Sequence, residues 1–131
     1  MHHALESYVV EETTYSNGEV IIEEGSQGSW VYVILEGIAK VKKRTPKGMV
    51  TIDILREGEV FGEMTFLEGG KSARSASVIA AEGQIKVGLL DTQKLIDEYE
   101  AVPSELKTLI RSLMQKLRNT TSKVCSVVIA K

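Results

Sequence analysis

The sequence predicts a mainly β domain of the sandwich or roll type, closed at its C-terminal end by helices. Between Gly18 and Leu90 the chain is a succession of short period-two or apolar runs rich in β-branched residues, separated by turn residues. After Leu90 the apolar spacing changes to the helical period. A length of 131 residues with 43% hydrophobic composition suits one domain with one core.

In chain order the runs are EVIIEEG, WVYVILEG, IAKVKKR, MVTIDIL, ASVIAA and IKVGLL. Their stops are Gly25, Gly28, Gly37, TPKG, REGE, EGGK and AEGQ. In MVTIDIL the side chains of Val50, Ile52 and Ile54 point one way and those of Thr51 and Asp53 the other, as a half-buried strand requires. IKVGLL repeats the device with Ile85, Val87 and Leu89. DTQKLIDEYEAV then predicts a short helix capped by Asp91 or Thr92, and Pro103 opens a second helix that runs to about Asn119. Leu106, Leu109, Ile110, Leu113, Met114 and Leu117 fall on one continuous stripe of that helix. The stripe either closes on the β-sheet or meets the same helix of a second chain, and the spacing is compatible with both. The expected organisation is a single domain over 1–131, with the β-roll at about 14–90, helices at about 91–120 and a tail at 121–131.

Composition excludes several kinds of chemistry. One cysteine, Cys125, forms no internal disulfide, and the only histidines, His2 and His3, sit at a terminus, so zinc and iron–sulfur sites lack ligands. A Ser-His-Asp or Cys-His arrangement is missing for the same reason, and a phosphodiesterase would need absent metal ligands. The expectation is a protein that is not an enzyme and carries no cofactor. The amino terminus has no leader pattern and no window approaches a membrane span, which predicts a cytoplasmic chain with no membrane contact. Residues 1–39 hold seven acids and no Lys or Arg, whereas residues 103–131 hold six bases against Glu105. Six bases over that length without interleaved aromatics read as a solvated helix face, and no DNA-binding unit follows Asn119, so no nucleic acid is expected to bind.

The stretch FGEMTFLEGGKSARSASV, residues 61–78, is chemically richer. Met64 to Leu67 suit one turn of helix preceded by Gly62, and free N–H groups at such a turn attract an anion that glycine lets approach closely. Arg74 on the following strand adds a planar, permanently charged fork suited to phosphate oxygens. Glu63 is acceptor-only when ionised, and sugar hydroxyls are donors. A phosphate and a hydroxylated sugar together specify a nucleotide. An ordinary Glu63–Arg74 ion pair, or two solvated side chains, would use the same residues.

GEVIIEEGSQGSWVYVILEGIAKV, ILREGEVFGEMTFLEGG and RSASV together resemble the cyclic nucleotide-binding domain of catabolite-activator-type transcription factors, protein kinase A regulatory subunits and cyclic-nucleotide-gated channels. The resemblance runs from about Thr14 to about Thr120. It implies an eight-stranded antiparallel β-roll, a jelly-roll relative, with a short helix in the phosphate-binding loop, C-terminal helices, and cAMP or cGMP as ligand. It further implies that Phe61 and Gly62 shape the phosphate turn together with the backbone N–H groups of Met64 and Thr65. Glu63 would accept from the ribose 2'-hydroxyl and Arg74 would neutralise the phosphate. Ser75 would donate to the phosphate or the base, and Ala76 would leave room for the nucleotide. The loop before Arg74 is longer than is usual in the family and has Ala73 where proline is common; a register placing Lys71 or Ser72 opposite the usual arginine would break the Arg-Ser-Ala-Ser-Val strand.

The expected function is a cyclic nucleotide-binding regulatory module, with cAMP favoured over cGMP, that transmits binding through the helix from Pro103 to Asn119 acting as a lid. The alternative is a degenerate β-roll that binds no nucleotide and serves as an interaction or homodimerisation module through that helix.

Overall fold

The computed structural model of the chain describes residues 5–63 and 73–130. A 3-10 turn, Glu6–Tyr8, leads into six strands: β1 Val9–Tyr15, β2 Val20–Ile22, β3 Tyr32–Thr45, β4 Gly48–Leu55, β5 Val60–Phe61 and β6 Ser77–Leu90. Two helices follow, α1 Thr92–Glu100 and α2 Ser104–Ala130. All pairings are antiparallel in the order β1-β6-β3-β4, with β2 also on β6 and β5 also on β3.

The eight expected strands correspond to six continuous ones, because two of them bend without ending. Gly37 and the AEGQ segment read as stops in the sequence, yet β3 and β6 run through them. Tyr32–Ile34 pairs with Val87–Leu89 and Ile38–Lys42 with Ser77–Ala81, with register shifts on both sides of Glu36. At the bend Gly37 has φ +99°, and a Cβ there would lie 2.9 Å from the Gln84 carbonyl oxygen. Glu82 and Gly83, with φ +57° and +114°, turn β6 at the same level. Each long strand therefore supplies two arms, and the sheet rolls over itself.

β1 lies before the expected start of the roll at about residue 14. Its residues VVEETTY alternate poorly because it packs little of itself inward: its burial runs half-buried only at Val9, Thr13 and Tyr15. The pattern expected for β4 is present, with Val50, Ile52 and Ile54 more buried than Thr51 and Asp53. The core gathers Ile22, Ile34, Ala39, Leu55, Phe61, Val78, Ala80, Ile85 and Val87 between the arms. A second cluster, Val31, Val33 and Leu90, is covered by Tyr8, Val9, Leu35 and Leu95.

Of the two cap candidates for α1, Asp91 is the one whose side chain accepts, from the Lys94 N–H. In α2 the Pro103 carbonyl accepts the N–H groups of Leu106 and Lys107, and Lys107 reaches back to Glu100 at 3.3 Å and over the Tyr99 ring. The helix does not stop near Asn119 but continues to Ala130. No glycine or proline lies between Asn119 and Ala130 to break it. Its apolar stripe divides: Ile110 and Met114 are half-buried, while Leu106, Leu109, Leu113 and Leu117 are 46 to 58% exposed.

Gly37→Ala should lower the free energy of unfolding by about 2 to 4 kcal/mol, since it combines left-handed strain with a side chain forced against the backbone of β6. Urea unfolding followed by circular dichroism measures this. A change below about 0.5 kcal/mol would mean that the bend does not depend on glycine.

Candidate functional site

Arg74 lies in the segment just before β6, and its placement is fixed from both ends. Its N–H donates to the Ser26 carbonyl and its carbonyl accepts from the Gly25 N–H, each at 2.8 Å. At the other end Nη1 donates to the Gly62 carbonyl and Nη2 to the Trp30 carbonyl, each at 3.0 Å. The residue is 7% exposed. Burial works against the guanidinium charge, opposed by the neighbouring Tyr32 and Glu63, and an arginine so held stays protonated.

Two glycines make room for this side chain. A Cβ on Gly62 would sit 2.7 Å from the Trp30 carbonyl oxygen and 3.0 Å from Arg74 Nη1, and its φ of +87° is itself one that favours glycine. A Cβ on Gly28 would sit 3.3 Å from Arg74 Nη2. Phe61, the last residue of β5, is buried and stacks on Tyr32 with ring centroids 5.0 Å apart. That stacking anchors the strand from which Gly62 and Glu63 emerge.

Glu63, directly after Gly62, is half-buried. Desolvation raises its pKa, while its own backbone N–H and the Arg74 charge act in the opposite direction. Ionised, the carboxylate accepts hydrogen bonds only. A hydroxylated ligand would supply the donors.

These groups meet at a cavity of about 340 Å³, a volume suited to a small ligand. Phe61, Gly62, Glu63, Arg74, Ser75 and Ala76 all line it, so the structure brings six of the residues named from the sequence to one place. Met64, Thr65 and the expected turn through Leu67 lie outside the described residues, as do Lys71 and Ser72. The remaining wall is largely apolar, from Ile22, Val41, Leu55, Val60 and Val78, with Asp53 and, from α2, Leu117, Arg118 and Thr120. Sequence reasoning missed this wall. A strand residue facing a cavity and one facing the core carry the same period-two signal, and nothing in the α2 stripe marks the turn that reaches the site. Gly28 was legible as a turn, but its role as space for a guanidinium was not. Among the described residues no group of three or more His, Cys, Asp or Glu is placed to hold a metal ion. The arrangement can hold an anion against Arg74, a hydroxyl against Glu63 and a flat apolar group against the aliphatic wall.

The family profile described as the cyclic nucleotide-binding domain matches residues 12–101. The chain is 24% identical over 115 residues to a CRP-like cAMP-activated global transcriptional regulator of Mycobacterium tuberculosis, covering 87% of this chain and 50% of that protein. It is 39% identical over 67 residues to a cAMP-dependent protein kinase regulatory subunit of Mycosarcoma maydis, covering 51% of this chain and 12% of that protein. The cAMP-bound form of an EAL enzyme superposes with a TM-score of 0.75 at 26% identity, over 87% of this chain and 30% of that one. The chain thus spans half the length, or less, of each of these proteins. With the profile covering more than half of the chain, and with the Phe-Gly-Glu turn and the buried arginine of that profile's region meeting at one cavity, the chain belongs to the cyclic nucleotide-binding domain family.

Proposed function

We propose that the cavity binds a cyclic nucleotide, cAMP in preference to cGMP, and that the chain is a regulatory module without catalytic activity or cofactor of its own. The observation that carries this reading is the convergence of the Arg74 guanidinium and the Glu63 carboxyl on one cavity behind Gly62. Arg74 neutralises the cyclic phosphate, which Gly62 and the N–H groups of Met64 and Thr65 also contact. Glu63 accepts from the ribose 2'-hydroxyl. Ser75 donates to the phosphate or the base, and Ala76 leaves space between them. The choice of cAMP rests on two relatives, one cAMP-activated and one cAMP-dependent; the EAL enzyme is solved with cAMP and with cGMP bound and supports a cyclic nucleotide of either kind. Isothermal titration with each nucleotide tests the reading: saturable binding with cAMP the tighter ligand supports it. Absence of heat with both would leave the roll as an interaction module.

On the same reading the whole chain works as one domain, in the cytoplasm, touching neither membrane nor nucleic acid itself. Among the described residues no helix is long and apolar enough to cross a membrane. Transmission falls to α2, because Leu117, Arg118 and Thr120 of this helix line the cavity. A base beneath them would be shielded from water, which strengthens polar contacts there. The exposed Leu106, Leu109, Leu113 and Leu117 recur at three- and four-residue intervals and form a seam suited to the same helix of a second chain.

Arg74→Lys should weaken cAMP binding at least tenfold, because lysine keeps the charge but loses the fork that spans both carbonyls and the phosphate. Titration alongside circular dichroism of the free protein separates lost affinity from lost folding. Affinity unchanged within about twofold would remove Arg74 from the phosphate site.

Glu63 generates a pH dependence. Its pKa is raised from the ordinary 4.5, so in the free protein its contribution to stability is full below that value and is lost as pH rises through the raised one. A ribose hydroxyl prefers the ionised carboxylate. cAMP affinity should therefore rise with pH through the same range, with proton release on binding, and Glu63→Gln should flatten the profile. A wild-type affinity that does not vary between about pH 4.5 and 7 would exclude Glu63 from the ribose contact.

The double substitution Leu109→Glu, Leu113→Glu should convert a dimer to a monomer in sedimentation while leaving the melting temperature of the roll within a few degrees. A wild-type monomer at micromolar concentration would remove the seam.

A further inference from the structure

We infer that Lys43 and Glu24, neither of which lines the cavity, form a positioning pair that holds the Arg74–Ser77 segment in the geometry with which it faces the ligand; this rests on the reading of the cavity as a nucleotide site. Lys43 Nζ, from β3, donates to the Ser75 carbonyl at 2.7 Å and lies 3.5 Å from Glu24 Oε2. Both side chains are only 25% exposed, so the pair is poorly screened by water. Glu24 is itself tied down on two sides. Its Oε1 accepts from the Arg44 N–H at 2.8 Å, and its own N–H donates to the buried Ser77 Oγ at 2.9 Å.

The segment needs such a tie. β6 begins at Ser77, so Ser75 and Ala76 lie in a bend outside the strand. A backbone carbonyl there, if bonded only to water, leaves the Ser75–Ala76 peptide free to rotate, and with it the two cavity-lining residues that follow Arg74. The ammonium of Lys43 offers three donors in a tetrahedral array, enough to serve a carbonyl and a carboxylate at once. Glu24 then links the lysine to the adjoining Gly25 and Ser26, which pair with the Arg74 backbone. One acid and one base on two different elements thus hold the residue that follows the phosphate-binding arginine. Lys43 reads in the sequence as one of a run of strand-surface bases, and Glu24 as one of the amino-terminal acids.

A positioning role and a simple charge effect predict different signs. If Lys43 acted only by adding positive potential near an anion, Lys43→Met would weaken cAMP binding and Glu24→Gln would strengthen it. Positioning predicts that both substitutions weaken it, each by about tenfold, the scale of one hydrogen bond to a charged group. The double variant should then be little worse than either single one, and Lys43→Arg should restore most of the affinity.

The test combines cAMP titration of these four variants with amide hydrogen exchange on the ligand-free proteins. Faster exchange at Gly25 and Arg74 in Lys43→Met and Glu24→Gln, together with the shared affinity loss and the arginine rescue, is the expected result. Opposite signs for the two single variants would overturn the inference. So would unchanged exchange, or faster exchange with unaltered affinity. If the wild-type protein binds neither cAMP nor cGMP, the nucleotide reading fails, and the exchange measurement still decides whether the pair holds the segment.

Discussion

Arg74 is a permanently charged residue only 7% exposed, and its guanidinium and backbone together need hydrogen-bond partners from three separate stretches of chain. The loop after β2 turns the Ser26 carbonyl and the Gly25 N–H toward its backbone. The approach to β3 turns the Trp30 carbonyl inward, and the exit from β5 does the same with Gly62. Side chains at Gly28 and Gly62 would occupy the space that the guanidinium fills. Loops that are elsewhere free to vary are thus drawn to one end of the roll. The arginine side chain is held in place by the protein's own carbonyls.

Much of this was legible in the sequence, and the limits have physical causes. Alternation gave the right faces in MVTIDIL and, in IKVGLL, as far as Val87, because half-buried strands write their environment into residue type; at the end of IKVGLL it is Leu90 and not Leu89 that is buried. Phe61, Gly62, Glu63 and Arg74 stood out as a glycine turn beside opposite charges, although an ordinary ion pair would use the same residues. Gly37 misled, since positive φ permits a bend as readily as an end and only the pairing partner decides between them. β1 was invisible because a strand that buries little has no pattern to read. The extent of α2 was underestimated for the converse reason: a polar, β-branched tail has weak helix propensity, but contains no residue that breaks a helix already begun. The cavity wall, finally, is a tertiary fact. Val41, Leu55 and Leu117 become neighbours only through the roll.

The helix α2 contributes to the cavity wall and also carries the exposed leucine line. Its Leu117 belongs both to the cavity wall and to the exposed leucine line, so the two surfaces overlap at that side chain instead of lying at opposite ends of a rigid rod. A change in how this turn packs on the cavity would therefore also move one member of the leucine line.

The continuity of β3 and β6 through both arms of the roll sets how the protein must fold. β6 accepts β1 along its second half and β2 along its first, while β3 lies beside it throughout. No covalent boundary separates an end that could form early from an end that could wait, and Val9 finds its partner at Leu90, across nearly the whole β region. Such pairing is dominated by contacts remote in sequence, which slows the search for the native topology relative to that of a helical chain of the same size. It also removes any internal fault line. Local opening that frees one arm must disturb the strand it shares with the other, so the two arms are expected to lose structure as a single cooperative unit.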